Sequence, residues 1–329
     1  MNIETSDSGG LICGFVLQQQ GPASPLHWDH KFKISDTPAQ PLWLHFNLAD
    51  TRACNWIAAC SVIPEDARKL LLDHDTLARH EITDNGLALV IGDLHHDFNG
   101  DPEGFGTLRL YIDKHLLVTG RRHPLKAIDQ LRRETSAGLE ISTTGDLFAR
   151  LIEVLAETFQ RVVKDLADIV DEAEDQILAG RVHDQGAELG RVRRLLARLR
   201  RHVNGERQAL AQSLTRVHRW AGNADTAELR QAVERLDGTG QDLELVQERA
   251  RLLQEEIAGR LGEATNRNLY LLSVMTTVLL PINLITGIFG MNTGGLPWSQ
   301  DANGFWRAVI CMLVGVVISL GILHRRQIL

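Results

Sequence analysis

The chain has 329 residues, with 42 Asp and Glu against 35 Lys and Arg and a formal net charge of −7. That balance excludes the broad basic surface of a nucleic-acid binder. The four cysteines, Cys13, Cys54, Cys60 and Cys311, form no C-x-x-C pair, which excludes a disulfide framework or a cysteine zinc site. No H-E-x-x-H, P-loop, G-x-G-x-x-G or G-x-S-x-G occurs, so the chain is expected to be no enzyme and to hold no catalytic cofactor.

In chain order, residues 1–142 mix short β-like runs with Gly, Pro, Asn and Asp punctuation. The segment Met1–Asp7 lacks a basic region followed by an apolar core, so no secretory signal is expected and the polar N-terminal part should be cytoplasmic. Strands are predicted at Leu11–Leu17, Leu42–Leu48, Gly86–Ile91, Thr107–Ile112 and His115–Thr119, the last two joined by a turn at Asp113-Lys114. Helices are predicted at Asp50–Cys60, Glu65–Leu72 and Leu125–Glu134. Together these give a cytoplasmic α/β domain.

Residues 143–268 form a long-helix region. Thr143-x-x-Asp146 has the form of a capping box. Leu147, Leu151, Leu155, Val162, Leu166 and Val170 then recur at helical steps until Gly180. A second helix runs from Gln185 to Val217. The first helix is acidic, with nine acids against three bases from Asp146 to Asp175; the second carries seven arginines against one acid from Arg191 to Arg207. Two helices packed with their charges facing explain this pattern better than nucleic acid does, since no aromatic residues interleave the arginines. A third helix, with Leu243, Val246, Ala250, Leu253 and Ile257 in phase, starts near Gln241 and runs without proline into an apolar segment. Its apolar seam needs partners, and copies of itself around an axis are the natural ones.

Two apolar runs follow. Leu269–Phe289, taken with Gly290 as span 269–290, has 21 apolar-run residues and spans roughly 31 Å as a helix, enough for a bilayer core of about 30 Å. Phe305–Leu323 is the second span, and 291–304 the loop between them. Arg260 and Arg267 precede the first span and His324-Arg325-Arg326 open the tail 324–329, whereas the loop from Asn292 to Gly304 has no Lys or Arg and one acid, Asp301. Both termini are therefore expected in the cytoplasm and the loop in the periplasm. Arg307 is a dissonant charge that can snorkel to the interface.

Within the first span, Leu269, Thr276, Asn283 and Gly290 form one seven-residue row, and Ser273, Leu280 and Gly287 the adjacent row. An amide in hydrocarbon needs water, a ligand or another amide, so Asn283 reads either as helix–helix glue or as part of a pore-lining ring. Pro281 frees the carbonyl of Thr277 and permits a slight bend. No acid lies between Leu269 and Gln300, so cation attraction must come from oxygen dipoles.

The stretch Asn266–Asn292, with Pro281 and its terminal Gly-Ile-Phe-Gly-Met-Asn (Gly287 to Asn292), resembles the pore helix of the CorA metal ion transporter family. The two terminal spans, short loop, Arg-Arg end and large N-terminal domain resemble that family too. Thr293-Gly294-Gly295-Leu296-Pro297 is similar to the loop of its ZntB zinc transporter branch, as are Trp43-Leu44-His45, Asp101-Pro102-Glu103 and Leu108–Asp113. Trp298 departs from the branch, where glycine is common, as does His80-Glu81, where proline is common. The resemblance implies an α+β/α membrane protein of the bacterial inner membrane: a homopentamer with a long-helix funnel and one central pore in the lipid bilayer. Gly290, Met291 and Asn292 would ring the outer mouth. Asn292 would bond the waters of a hydrated divalent metal ion, and Met291 would pack behind the turn. The ion implied is zinc as the transported species, with cobalt, nickel, cadmium and magnesium as further candidates and protons as a coupling partner. A magnesium or cobalt channel is the alternative, and a membrane-anchored sensor or scaffold a third reading.

No carboxylate or histidine in the spans offers a proton relay, so a titrating group is expected among Glu255, Glu256, Glu263 and the histidines. His27-Trp28-Asp29-His30 and Asp93-Leu94-His95-His96-Asp97 combine imidazole and carboxylate as zinc requires, and His95, His96 and Asp97 are a candidate cytoplasmic metal site. The plainer reading of both is an exposed loop. His45 lies in a strand-like run and reads as a bonded core residue.

Overall fold

The computed structural model describes residues 9–26, 34, 40–75, 79–83, 85–97, 104–181, 185–217, 223–291, 297–298 and 303–325. It comprises two compact units, Met1–Leu253 and Gln254–Leu329. The strands are β1 (Leu11–Val16), β2 (Ser24–Pro25), β3 (Leu42–Asn47), β4 (Arg79–Ile82), β5 (Gly86–Leu94), β6 (Phe105–Asp113) and β7 (Leu116–Arg121). The helices are α1 (Thr51–Ala59), α2 (Glu65–Leu72), α3 (Lys126–Ser136), α4 (Thr144–Leu178), α5 (Gln185–Val217), α6 (Asn223–Phe289) and α7 (Gly304–Arg325).

In the first unit the strands form one seven-stranded sheet, ordered β2-β1-β3-β7-β6-β5-β4. The β3–β7 pair is parallel and the other pairs are antiparallel. Alternation along the strands sends Leu44, Phe46, Val90, Tyr111 and Val118 to one face, where they are buried with Ile57, Ile63 and Leu71 from the segment of α1 and α2. The opposite face meets α3. There the Asp93 carboxylate accepts from the backbone N–H of Ala127 at 2.9 Å and of Ile128 at 3.3 Å. Leu125, the N-cap of α3, makes no side-chain cap bond, so β5 supplies the cap that α3 lacks.

The long helices follow the predicted periodicity. Thr143 caps α4, its hydroxyl accepting from Asp146 N–H at 2.9 Å, and α4 ends before Gly180, whose φ of 82° suits a glycine. The acidic α4 and the basic α5, expected to face each other, each meet opposite charges on α6. Arg249 pairs with Asp171 at 2.5 Å and Glu174 at 2.9 Å, while Arg200 pairs with Glu244 at 3.0 Å and Arg207 with Asp237 at 2.5 Å. Helix α6 begins at Asn223, well before the expected start at Gln241.

Candidate ion pathway

The second unit contains the end of α6 and all of α7, and these two helices are long and apolar enough to cross a membrane. Along α6, Val274, Thr277, Val278, Pro281, Ile282, Ile285 and Phe289 are partly covered, a stripe at helical spacing. On α7 the covered residues are Ala308, Val309, Met312, Gly315, Val316, Ser319, Leu320 and Leu323. The two stripes face each other at Pro281 and Gly315, where a side-chain carbon added at 315 would stand 3.3 Å from Pro281 Cβ. Gly315 therefore accommodates the proline ring.

The predicted pathway residues lie elsewhere on the same helix. Leu269, Ser273, Thr276, Leu280, Asn283 and Gly287 are all exposed. At about 100° per residue they centre on the side of α6 roughly opposite the stripe that α7 covers. The Thr276 hydroxyl donates to Leu272 O at 2.8 Å, and Thr286 donates likewise to Ile282 O at 2.8 Å. Each hydroxyl hydrogen is held by its own helix, leaving the oxygen's lone pairs directed outward. Asn283, exposed on the same face, carries an amide with both donor hydrogens and an accepting oxygen. No acid or base occurs among these residues, so the face offers only neutral oxygens and aliphatic carbon.

At the end of α6, Gly290 N–H donates to Thr286 O at 2.8 Å and Met291 N–H to Ile288 O at 3.3 Å. Met291, two residues beyond the end of the helix, is 54% exposed among the described residues. Asn292, Thr293–Leu296 and Asp301 lie outside the described residues. Trp298, noted in the sequence only as a departure, organises the described part of the connection between α6 and α7. Its ring stacks on Phe289 with centroids 6.5 Å apart, and the Arg307 guanidinium sits 6.0 Å from its centroid. The dissonant charge of Arg307 is thereby held against an aromatic face at the start of α7. Trp298 adopts φ of 64°, rare for a residue with a side chain.

The candidate cytoplasmic metal site does not assemble. Among the described residues no three His, Cys, Asp or Glu side chains stand where they could share a metal ion. His95 bridges to Leu125 and its ring lies 5.4 Å from that of His123, while His96 turns toward Asp129 at 3.8 Å. The strand ends at Leu94, and the turn that follows sends His95, His96 and Asp97 in different directions. His27 and His30 lie outside the described residues. His45 is a bonded core residue, as expected: its Nδ1 is 2.8 Å from Thr119 Oγ1, and its Nε2 accepts from Arg121 Nε at 3.1 Å. Burial, with Arg121 and Arg132 nearby, holds its pKa down at about 3.

Two carboxyls stand out: Asp93, noted in the sequence only as a flank of the histidine pair, and Glu206, which the sequence did not mark. Asp93 is fully buried, and burial pushes it up to about 7 against the opposing pull of its backbone bonds. Glu206 on α5 is also fully buried and raised well above the usual carboxylate range, chiefly by burial. Both lie in the first unit. The expected titrating candidates Glu256 and Glu263 are exposed, and Glu256 pairs with Arg260 at 2.6 Å.

Comparison with known proteins bears on what these features serve. The sequence profile described as CorA-like Mg2+ transporter protein matches residues 38–325. A divalent cation transporter, CmaX, of Pseudomonas aeruginosa is 29% identical over 316 residues, covering 95% of each chain. A zinc transport protein, ZntB, of Yersinia enterocolitica is 26% identical over 319 residues, covering 95% of this chain and 96% of that one. The solved full-length CmaX structure superposes with a TM-score of 0.83 at 27% identity, covering 98% of this chain and 100% of that one. The CorA magnesium transporter of Methanocaldococcus jannaschii shares the fold, with a TM-score of 0.75 at 19% identity over 95% of this chain and 98% of that one. The chain thus belongs to the CorA-like Mg2+ transporter family, a family of divalent-cation transporters and not of enzymes.

Proposed function

We propose that the chain is one subunit of a homopentameric inner-membrane transporter that passes a hydrated divalent cation, zinc, along a central pore lined by α6. The observation that carries this reading is the neutral polar row of Ser273, Thr276 and Asn283 on the face of α6 turned away from α7. Five such faces around an axis would enclose a path of hydroxyl and amide oxygens separated by the Leu269 and Leu280 side chains. Neutral oxygens suit a hydrated ion: they bond its first-shell waters and release them, where carboxylates would compete for the metal itself. Gly290 would let the backbones approach at the outer mouth, with Met291 beside it and Asn292 offering amide oxygen to the arriving ion. Gly287 leaves the path open between them.

Zinc is favoured over other divalent ions by the Thr293–Pro297 loop sequence and by relatives named as zinc transport proteins. The matched profile, described for Mg2+, favours magnesium as the second reading. Both termini lie in the cytoplasm under this reading, which the distribution of Arg260, Arg267 and Arg325 against a loop without Lys or Arg supports. Protons are the proposed coupling partner, and their carrier would lie outside the spans.

Uptake into proteoliposomes, with zinc, magnesium, cobalt, nickel and cadmium side by side and with or without a pH gradient, tests the proposal. Zinc flux should exceed magnesium flux and should fall when the gradient is removed. Asn292→Ala and Asn283→Leu should leave assembly intact and abolish flux. Unchanged flux in both variants would leave the hairpin as a mere anchor and sink the pore.

A further inference from the structure

Helix α5 reaches the sheet through one carboxyl group. Glu206 Oε1 accepts from the Gly92 N–H of β5 at 2.8 Å, and Glu206 Oε2 is buried without a hydrogen-bond partner. The contact needs a glycine in the strand, since a side-chain carbon at 92 would stand 2.7 Å from both Glu206 Oε1 and His202 Nδ1. His202, one helical turn before Glu206, stacks on Phe105 of β6 with centroids 4.6 Å apart and rings 6° from parallel. Strands β5 and β6 are thus gripped by two side chains of one face of α5, one an imidazole and one a carboxyl.

The surroundings favour a neutral grip. Burial disfavours the charged form of Glu206, and so does Asp93 wherever its own carboxyl is ionised. His202, beside it on α5, is itself held neutral, with its pKa at about 4 through burial and through Arg198 and Arg201. Charged side chains of the neighbouring elements are committed elsewhere. Arg79 of β4 pairs with Asp73 and Asp75, and Asp237 of α6 with Arg207. Arg150 and Glu157 of α4 pair with each other. His80 and Glu81 lie on β4, the outermost strand, where Glu81 is exposed. Among the described residues no cation pairs with Glu206, and its second oxygen has no hydrogen-bond donor.

We propose that Glu206 is a proton-binding site of the soluble unit, whose protonated carboxyl seats α5 on the sheet and whose loss of the proton unseats it. An ionised carboxylate at this position would be buried and unpaired, a state that a protein relieves by admitting water or letting the element move. The consequence passes to α6, because α5 is also tied to it by Arg207–Asp237 and by Arg200 with Glu244 and Gln247. Release of α5 therefore loosens the early part of α6 from the sheet as pH rises. The proposal concerns proton binding and holds whichever metal ion is carried.

The sign is that of a raised acid. Between the ordinary carboxylate pKa and the raised one, the folded chain keeps a proton that the unfolded chain has lost. The seating is therefore complete at low pH and weakens with rising pH. Hydrogen exchange of the full-length protein in detergent, at about pH 6 and about pH 9 and corrected for intrinsic exchange rates, reads it directly. Protection across the 198–210 segment of α5 should fall by about tenfold or more in the wild type and stay constant in Glu206→Gln, which mimics the neutral acid. Equal loss in both proteins would overturn the proposal. Infrared difference spectra between the same two pH values compare the wild type with Glu206→Gln, because Asp93 also titrates in this window. The wild type should lose a protonated-carboxyl band with rising pH that Glu206→Gln lacks, and identical difference spectra would also overturn the proposal.

Discussion

Asp93→Ala isolates the cap that β5 provides for α3. The carboxylate accepts from Leu94 N–H at 2.7 Å, from Ala127 N–H at 2.9 Å and from Ile128 N–H at 3.3 Å. Truncation leaves these three donors without their acceptor in a buried site, at about 1–3 kcal/mol each. Removing the carboxylate also relieves its own burial, which already pushes its pKa up to about 7 and so offsets part of the loss. The net expectation is a destabilisation of about 3–5 kcal/mol, a large fraction of the roughly 5–15 kcal/mol of a folded domain. For a unit of this size that lowers Tm by about 10 °C, measurable by tryptophan fluorescence of the full-length protein in detergent, since Trp43 is buried in the sheet. Asp93→Asn keeps one accepting oxygen and should fall between wild type and Asp93→Ala. The reasoning fails if Asp93→Ala lies within about 1 kcal/mol of wild type, or if the asparagine variant is the less stable of the two.

Two further outcomes follow from named contacts. Gly315→Leu should wedge α7 away from Pro281 and destabilise the hairpin by about 1–3 kcal/mol, whereas Gly315→Ala, at 3.3 Å from Pro281 Cβ, should be tolerated; thermal stability in detergent compares them. His45 stays neutral when folded, with its pKa held at about 3 by burial, while the unfolded chain takes up a proton below about pH 6.5. Stability should therefore decline as pH falls through that window, by at most about 1.4 kcal/mol per unit from this residue, and His45→Gln should flatten the decline in denaturant titrations.

The elements easiest to read were those whose boundary chemistry is local. Thr143 and Gly180 bracket α4, and α2 and α5 run over the segments that the spacing predicts. β5 was read three residues short, because Gly92-Asp93 looks like a strand breaker. Both residues serve contacts remote in sequence, Gly92 making room for α5 and Asp93 capping α3. β4, Arg79–Ile82, carries no apolar alternation because it is the sheet's edge strand, and its polar residues hid it. The first 18 residues of α6 were missed for a similar reason: Gly238 and Gly240 read as a break, although Gly240 lies 3.5 Å from Val203 where a side-chain carbon would stand. In the second unit, the seven-residue rows identified which residues share a face. They could not say which face α7 covers. Glu206 was invisible in principle, a single acid in an arginine-rich run whose burial depends on a strand more than 100 residues away.

The placement of α7 bears on the role proposed for Asn283, because it shows which face of α6 the second span covers. Glue between the two spans of one chain would put the amide on the stripe that α7 covers, beside Pro281 and Ile285, where Ala308, Gly315 and Ser319 leave room for close approach. The amide lies on the other side, and its neighbours on that side are Thr276, Leu280 and Gly287. A threonine can satisfy its hydroxyl hydrogen on its own helix, as Thr276 does with Leu272, and so tolerates lipid. An asparagine carries two donor hydrogens and an accepting oxygen, and burying that set against hydrocarbon costs several kcal/mol. The face must therefore meet water, an ion or the same face of another copy. A ring of copies around a hydrated path, as proposed, would supply all three at once, and the position of α7 leaves that face of α6 free for it within the chain.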